Sequence, residues 1–315
     1  VRRAPALLAA ALATSLALPP LEARAAVYVA SQDGGAVTRI DGPDEASPMA
    51  VGAGPAGLAA VPDGTLYLAH PDRGAITALE AATGRGLRRL PFAGQPFGLA
   101  VSRDGRALFV GDWQGNRLVR IDAESGAVEA ELALGREPAG LVRDAVGRLF
   151  VAERGGDSVA VVDGTAMRLL ARIPVGRAPF ALALSPDEGR LYVGNVRSND
   201  LTAIDTRALA AITTRPAGRS PYGVAVQGDR ILVTNQEAGT VSVLAADLTL
   251  AGTVSVGRYP EGVAVAEGRA YVANWFSDDV SVIDLTAMRE VARRKVPAGP
   301  RAILALPSAG EGGGQ

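Results

Sequence analysis

Apolar residues along this chain come in short runs separated by Gly, Pro, Asp and Asn, not in stripes of helical period. Residues 258–284, RYPEGVAVAEGRAYVANWFSDDVSVID, show the unit most clearly. A Pro turn leads into an apolar run, and a Gly turn leads into a second run ending at Asn274. A polar loop then leads into a third run closed by Asp284. Each run is only a few residues long and rich in Val, Ile, Leu and Tyr, which predicts strands and not helices. Asp279–Asp284 alternates apolar and polar positions, as a strand with one wetter face does. The connections leave no room for a helix. Each unit therefore predicts a four-stranded antiparallel meander.

The unit recurs seven times. Its Pro turns fall at Pro55, Pro96, Pro138, Pro179, Pro221, Pro260 and Pro300, a spacing of about 40 residues. The second runs start at Val27, Leu66, Leu108, Leu149, Leu191, Ile231 and Ala270. The third runs end at Asp41, Glu80, Asp122, Asp163, Asp205, Ala245 and Asp284, with Ala245 alone departing from the acid. A meander cannot bury both of its faces by itself. Radial repetition covers both faces and leaves only short edges, so the fold class is an all-β, seven-bladed β-propeller. The first copy begins at its second strand, near Ala26, and a leftover apolar run, Ala302 to Leu306, follows the last copy. That run is expected to supply the missing innermost strand of the first blade and so close the ring.

The G-x-x-P-x-G-V-A-V, L-Y-V-x-N and V-S-V-I-D elements resemble the YVTN family of β-propeller repeats, with Leu232-Val233-Thr234-Asn235 as the segment nearest its name. The resemblance covers nearly the whole chain after residue 25. It implies a seven-bladed periplasmic protein of the YncE-like kind, often found beside exported redox systems. Some such proteins bind DNA.

Composition adds limits. The chain has 315 residues, 48% of them hydrophobic and 21% charged, so core material is ample. A net charge of −1 supplies no global field for nucleic acid or an anionic membrane. Lys295 is the one lysine, and the remaining basic residues are arginine. Arg2 and Arg3 precede an apolar stretch, Ala4 to Leu21, which is followed by Ala23-Arg24-Ala25. Residues 1–25 thus read as a Sec-type signal peptide cleaved after Ala25, giving a periplasmic or secreted protein with no membrane span after cleavage. The propeller is expected over 26–308, and a flexible Gly-rich tail over 309–315. With no Cys in the chain, thiolate zinc sites, c-type haem attachment and cysteine nucleophiles are excluded. No cofactor is implied. Gly52 to Gly57 matches G-x-G-x-x-G formally, but a strand follows where the dinucleotide fingerprint needs a helix.

In a four-strand meander, the turn entering strand one and the loop between strands two and three emerge at one end, the upper face. Two residues before each Pro stand Ala53, Gly94, Arg136, Arg177, Arg219, Arg258 and Ala298. One residue after it stand Ala56, Phe97, Ala139, Phe180, Tyr222, Glu261 and Arg301. Together these columns predict a partly basic, partly aromatic rim around the central opening, suited to an anionic ligand or an acidic partner. The alternative role for each Arg is to bond carbonyls or carboxylates of the repeat itself. Strand two closes on Ser31, His70, Asp112, Glu153, Asn195, Asn235 and Asn274. These short polar side chains suit turn amides, while Asp112, Glu153 and Asn195 are the only candidates for an oxygen-ligated cation. Trp113 and Trp275 follow this column directly and are candidate contact residues.

His70 is the only histidine, and no G-x-S-x-G is present, so histidine-dependent catalysis has little to build on. The expectation is an exported, non-catalytic, monomeric propeller that binds a small anionic ligand or a periplasmic protein on its upper face. A metal-dependent lactonase through Asp112, Glu153 and Asn195 is the first alternative. Single-stranded DNA on the arginines and aromatics is the second, and near-neutral charge and export disfavour it.

Overall fold

The computed structural model describes residues 25–41, 45–61 and 63–306. The stretch read as a signal peptide, up to residue 24, and the tail at 309–315 lie outside the described residues. Seven four-stranded antiparallel sheets form the ring of a β-propeller. Blades 2 to 7 are each a consecutive meander. Their innermost strands are Gly57–Ala60, Pro96–Val101, Pro138–Arg143, Pro179–Leu184, Pro221–Gln227 and Pro260–Ala266.

Blade 1 is built from both ends of the described residues. Its second strand, Ala26–Ser31, pairs antiparallel with Pro300–Leu306, in the register Val27 to Ala305 and Val29 to Ile303. The ring is therefore fastened by strand pairing, as the leftover run after Pro300 predicts.

The core lies between blades. Leu66 and Leu68 of blade 2 pack with Tyr28 and Val37 of blade 1, and Val27, Val29 and Ile40 of blade 1 pack with Tyr271 and Val280 of blade 7. Equivalent clusters fill the other junctions. Strand-two and strand-three positions dominate these clusters because both of their faces are covered. The outermost strands, such as Val128–Ala133, are largely exposed.

A second device ties neighbouring blades together. Asn116, Asp157, Asn199 and Asp278 sit in the left-handed region just before strand three, which short Asx side chains tolerate. Their Oδ1 atoms accept the N–H of Glu137, Ala178, Ser220 and Gly299 in the turn entering the next blade, at 2.8–3.0 Å. The acids that end strand three have a local role at the opposite end. Asp163, for example, accepts the N–H groups of Thr165 and Ala166, each at 3.0 Å.

Candidate functional site: the upper mouth of the central channel

The Pro turns set the geometry of the mouth. In blades 3 to 7 the Pro pairs with the residue that closes strand two, as in Pro96 with Asp112, Pro138 with Glu153 and Pro260 with Asn274. The register then shifts before pairing resumes three residues later. Such a bulge re-aims a side chain, and here the residue after the Pro turns toward the axis. The next residue is Gly in five blades. A Cβ at Gly57, Gly98, Gly140, Gly223 or Gly262 would fall far inside contact distance of the carbonyl oxygen of the following blade's residue. Glycine lets the innermost strands approach closely around the axis.

The bulged residues enclose a cavity of about 220 Å³ lined by Phe97, Phe180, Tyr222, Arg301 and the apolar inner strands. At its upper end the aromatics meet. Phe97 lies 5.0 Å from Trp113 and 5.6 Å from Phe180, and Phe180 lies 4.1 Å from Tyr222, between ring centroids. The Arg301 guanidinium sits over Phe97, Trp275 and Tyr222, at 5.2, 5.4 and 6.0 Å from their centroids.

Three groups orient Arg301, and a fourth, Gln236, holds one of them. Its Nη1 donates to Gln32 Oε1 at 2.7 Å and its Nη2 to Tyr222 Oη at 2.6 Å. Its Nε is 3.2 Å from Glu261 Oε2, an ion pair short of hydrogen-bond alignment. Glu261 is buried, and its Oε1 accepts from Gln236 Nε2 at 2.9 Å. Burial pushes the Glu261 carboxyl up to about 7, against the opposing pull of Arg301 and the Gln236 bond. Burial also raises the Tyr222 phenol above its ordinary value, with Arg301 pulling the other way.

Of the sequence-derived candidates, the mouth gathers Phe97, Phe180, Tyr222, Glu261, Arg301, Trp113 and Trp275. The column two residues before the Pro lies elsewhere. Arg136, Arg177, Arg219 and Arg258 are exposed on the upper surface and do not line the cavity. Each reaches the strand two–three loop of its own blade: Arg136 to Gly155 O, Arg177 to Arg197 O, Arg219 to Glu237 Oε2 and Arg258 to Phe276 O.

Asp112, Glu153 and Asn195 are not brought together. Asp112 accepts from the Gln95 and Gly115 amides and from Arg117 Nε, the last at 2.9 Å. Glu153 accepts from the Gly135 amide, Ser158 and Arg172. Asn195 Nδ2 donates to Asp200 and Thr202. Among the described residues, no group of three or more metal-ligating acids or histidines converges.

Sequence reasoning missed Gln32, Arg154 and Gln236. A signal existed. They occupy the same repeat position as Trp113 and Trp275, directly after strand two. That position delivers its side chain to the mouth: Arg154 lies 5.7 Å from the Trp113 ring, and its Nη1 is 2.7 Å from Glu137 Oε2.

The architecture defines a seven-bladed β-propeller, and solved structures share it. The chain is similar to hydrazine synthase of Kuenenia stuttgartiensis, at 19% identity over 79% of this chain and 89% of that one, with a TM-score of 0.70. It is similar to a protein of unknown function from Desulfotomaculum acetoxidans, at 11% identity over 90% and 99%, with a TM-score of 0.78. Streptogramin B lyase follows at 14% identity over 89% and 91%, with a TM-score of 0.70. At these identities the likeness is one of fold. No protein-family model matches the chain, and a search of curated proteins finds no match.

Proposed function

We propose that the protein is an exported, non-catalytic propeller of the YVTN type. On this reading it binds a ligand carrying a flat apolar group and an anionic group at the upper mouth of its channel. The observation that carries the proposal is Arg301 held over three aromatic rings at the entrance to a cavity. Rings offer stacking area at low entropic cost, and a guanidinium in a partly desolvated mouth attracts an anion more strongly than one in water. Export rests on the N-terminal stretch and the repeat resemblance. The exposed arginines on the upper surface would draw anions toward the mouth. The lactonase alternative is not favoured, because Asp112 and Glu153 are engaged by donors of their own blades.

The test uses the two tryptophans, both at the mouth. Aryl carboxylates such as benzoate and indole-3-acetate should change tryptophan fluorescence saturably, and cyclohexanecarboxylate should do so more weakly. Arg301→Gln should abolish the response. Arg177→Ala with Arg219→Ala should weaken binding mainly at low salt. A tryptophan signal indifferent to every anion, or unaltered by the Arg301 change, sinks the reading.

A second reading, docking of a partner protein, is favoured by one observation. Phe276 is exposed at 55% and stacks on Tyr259 at 4.7 Å, beside Arg258. An exposed aromatic pair next to a guanidinium is a typical hot-spot composition.

A further inference from the structure

The position closing strand two changes its chemistry around the ring, and blade 2 alone places an imidazole there. In blades 3 and 4 it is an acid that neutralises an arginine of its own blade: Asp112 with Arg117 at 2.9 Å, and Glu153 with Arg172 at 3.0 Å. In blades 5, 6 and 7 it is an Asn whose Nδ2 donates to a hydroxyl or carboxylate on strand three, with its Oδ1 left without a partner among the described residues, and no arginine pairs with it. Blade 2 places His70 there, 3% exposed.

The arginine has nevertheless been kept. Arg89 stands opposite Thr77 across strands three and four, the register that Arg172 holds opposite Ala160 in blade 4. Blade 2 adds a second cation, Arg73, in the turn after strand two, where blades 3 and 4 have Gly115 and Gly156. Neither arginine has an acidic partner among the described residues.

These groups line one cleft. Its walls are His70, Arg73, Thr77 and Arg89, with Val51 and Gly52 from the segment leading out of blade 1, and its volume is about 130 Å³. The His70 ring is oriented within it. Nδ1 lies 3.2 Å from the carbonyl oxygen of Ala53 and donates to it. Nε2 is buried and has no partner among the described residues. Burial holds the His70 pKa below its ordinary value, and the two nearby arginines add to the effect. The neutral ring, with its proton on Nδ1, presents a bare acceptor at Nε2. The cleft thus combines two guanidinium donors with one acceptor and lacks the carboxylate that the same register holds in blade 4.

We propose that this cleft is a binding site for a monoprotonated phosphate group, distinct from the channel mouth. The unprotonated phosphate oxygens would accept from Arg73 and Arg89, where the Glu153 carboxylate lies in blade 4. The phosphate O–H would donate to His70 Nε2. A carboxylate satisfies the arginines but has no proton for Nε2, so the site distinguishes phosphate from carboxylate. Guanidinium pairs with phosphate are charge-assisted and among the stronger hydrogen bonds.

The single histidine makes the test direct, because an untagged protein shows one set of imidazole signals in NMR. Inorganic phosphate should shift those signals saturably. Acetate should act more weakly, and chloride at matched ionic strength should not act. A parallel titration with methyl phosphate separates a free-ion site from a phosphate-ester site, and tighter binding of either supports the proposal. Arg89→Ala and, separately, Arg73→Ala should weaken phosphate by about tenfold or more while the fold is retained, since both side chains are exposed. His70→Glu supplies the missing carboxylate internally. It should abolish phosphate binding by calorimetry and raise the thermal midpoint toward that of the phosphate-saturated wild type. A shift reproduced by chloride, acetate binding as tightly as phosphate, an Arg89→Ala protein that binds like wild type, or a His70→Glu protein that still binds phosphate would each overturn the assignment.

Discussion

Replacing Glu261 by Gln tests the electrostatics of the channel mouth. The folded chain holds this carboxyl at about 7, against 4.5 for the group in solvent, with burial as the largest cause. Between those values the folded chain keeps a proton that the unfolded chain has released. Stability from this group is therefore complete below about pH 4.5 and is lost as pH rises through 7. At about 1.4 kcal/mol for each tenfold change in proton affinity, the displacement is worth about 3 kcal/mol. Arg301 already opposes it, and the Coulombic gain of a buried pair often fails to repay desolvation. Gln keeps the shape and does not titrate. Whatever Glu261→Gln costs at pH 4.5, the wild type should lose up to about 3 kcal/mol relative to it by pH 8. Urea unfolding at a series of pH values, followed by tryptophan fluorescence, measures the difference. A flat difference, or one in which the wild type gains as pH rises, would show that Arg301 outweighs desolvation and would refute the reasoning. The same titration bears on binding. Below pH 7 the protonated Glu261 no longer compensates Arg301, so benzoate should bind more tightly as pH falls, and Glu261→Gln at pH 8 should resemble the wild type at pH 6.

Other outcomes follow from the packing. Gly98→Ala drives a methyl into the carbonyl of Ala139 and should cost about 1–3 kcal/mol in thermal or urea unfolding. Asp112→Ala strips the acceptor from the Gln95 and Gly115 amides and from Arg117, and should destabilise by about 3 kcal/mol, with Asp112→Asn intermediate. A chain ending at residue 299 loses the partner strand of Ala26–Ser31. Its unfolding should become broad and non-cooperative by circular dichroism, and gel filtration should show an expanded or associated species.

Much of this fold was legible because repetition multiplies a weak local signal. One VSVID run is an ambiguous apolar segment. Seven in phase, six of them behind a Gly turn and a Pro turn, leave one architecture. Even the fastening of the ring could be read, because Ala302 to Leu306 has no other strand position to occupy. The candidate site was less legible, for a geometric reason. Sequence columns give a side chain's height along the axis, not its distance from it. Arg136 and Phe97 stand three residues apart in repeat phase, yet Arg136 reaches outward to the loop while the bulge after Pro96 sends Phe97 to the axis. The register shift is a backbone event with no residue signature beyond the Gly that follows. Gln32, Arg154 and Gln236 were hidden differently, since only the tryptophans in their column have a composition that draws notice.

That same limit suggests where to look for function in a ring of near-identical units. A residue engaged by the repeat's own hydrogen bonds serves the scaffold, however polar it is, and Asp112 and Glu153 do so. What remains is the set of groups for which the repeat provides no counterpart. Arg301 takes up a position that five other blades give to an apolar or aromatic residue, and the chain spends Gln32, Tyr222 and Glu261 to hold it. Blade 2 keeps an arginine in register and omits its acid. The first is a largely desolvated cation, expensive unless compensated, and the second leaves two exposed cations close together with no acid between them. A scaffold under no demand but stability would replace both. If thermal midpoints rise in Arg301→Leu and His70→Glu together, with phosphate and aryl carboxylates no longer bound, stability is being given up for binding at both places. A fall in both midpoints with ligand affinities unchanged would instead assign Arg301 and His70 to the scaffold.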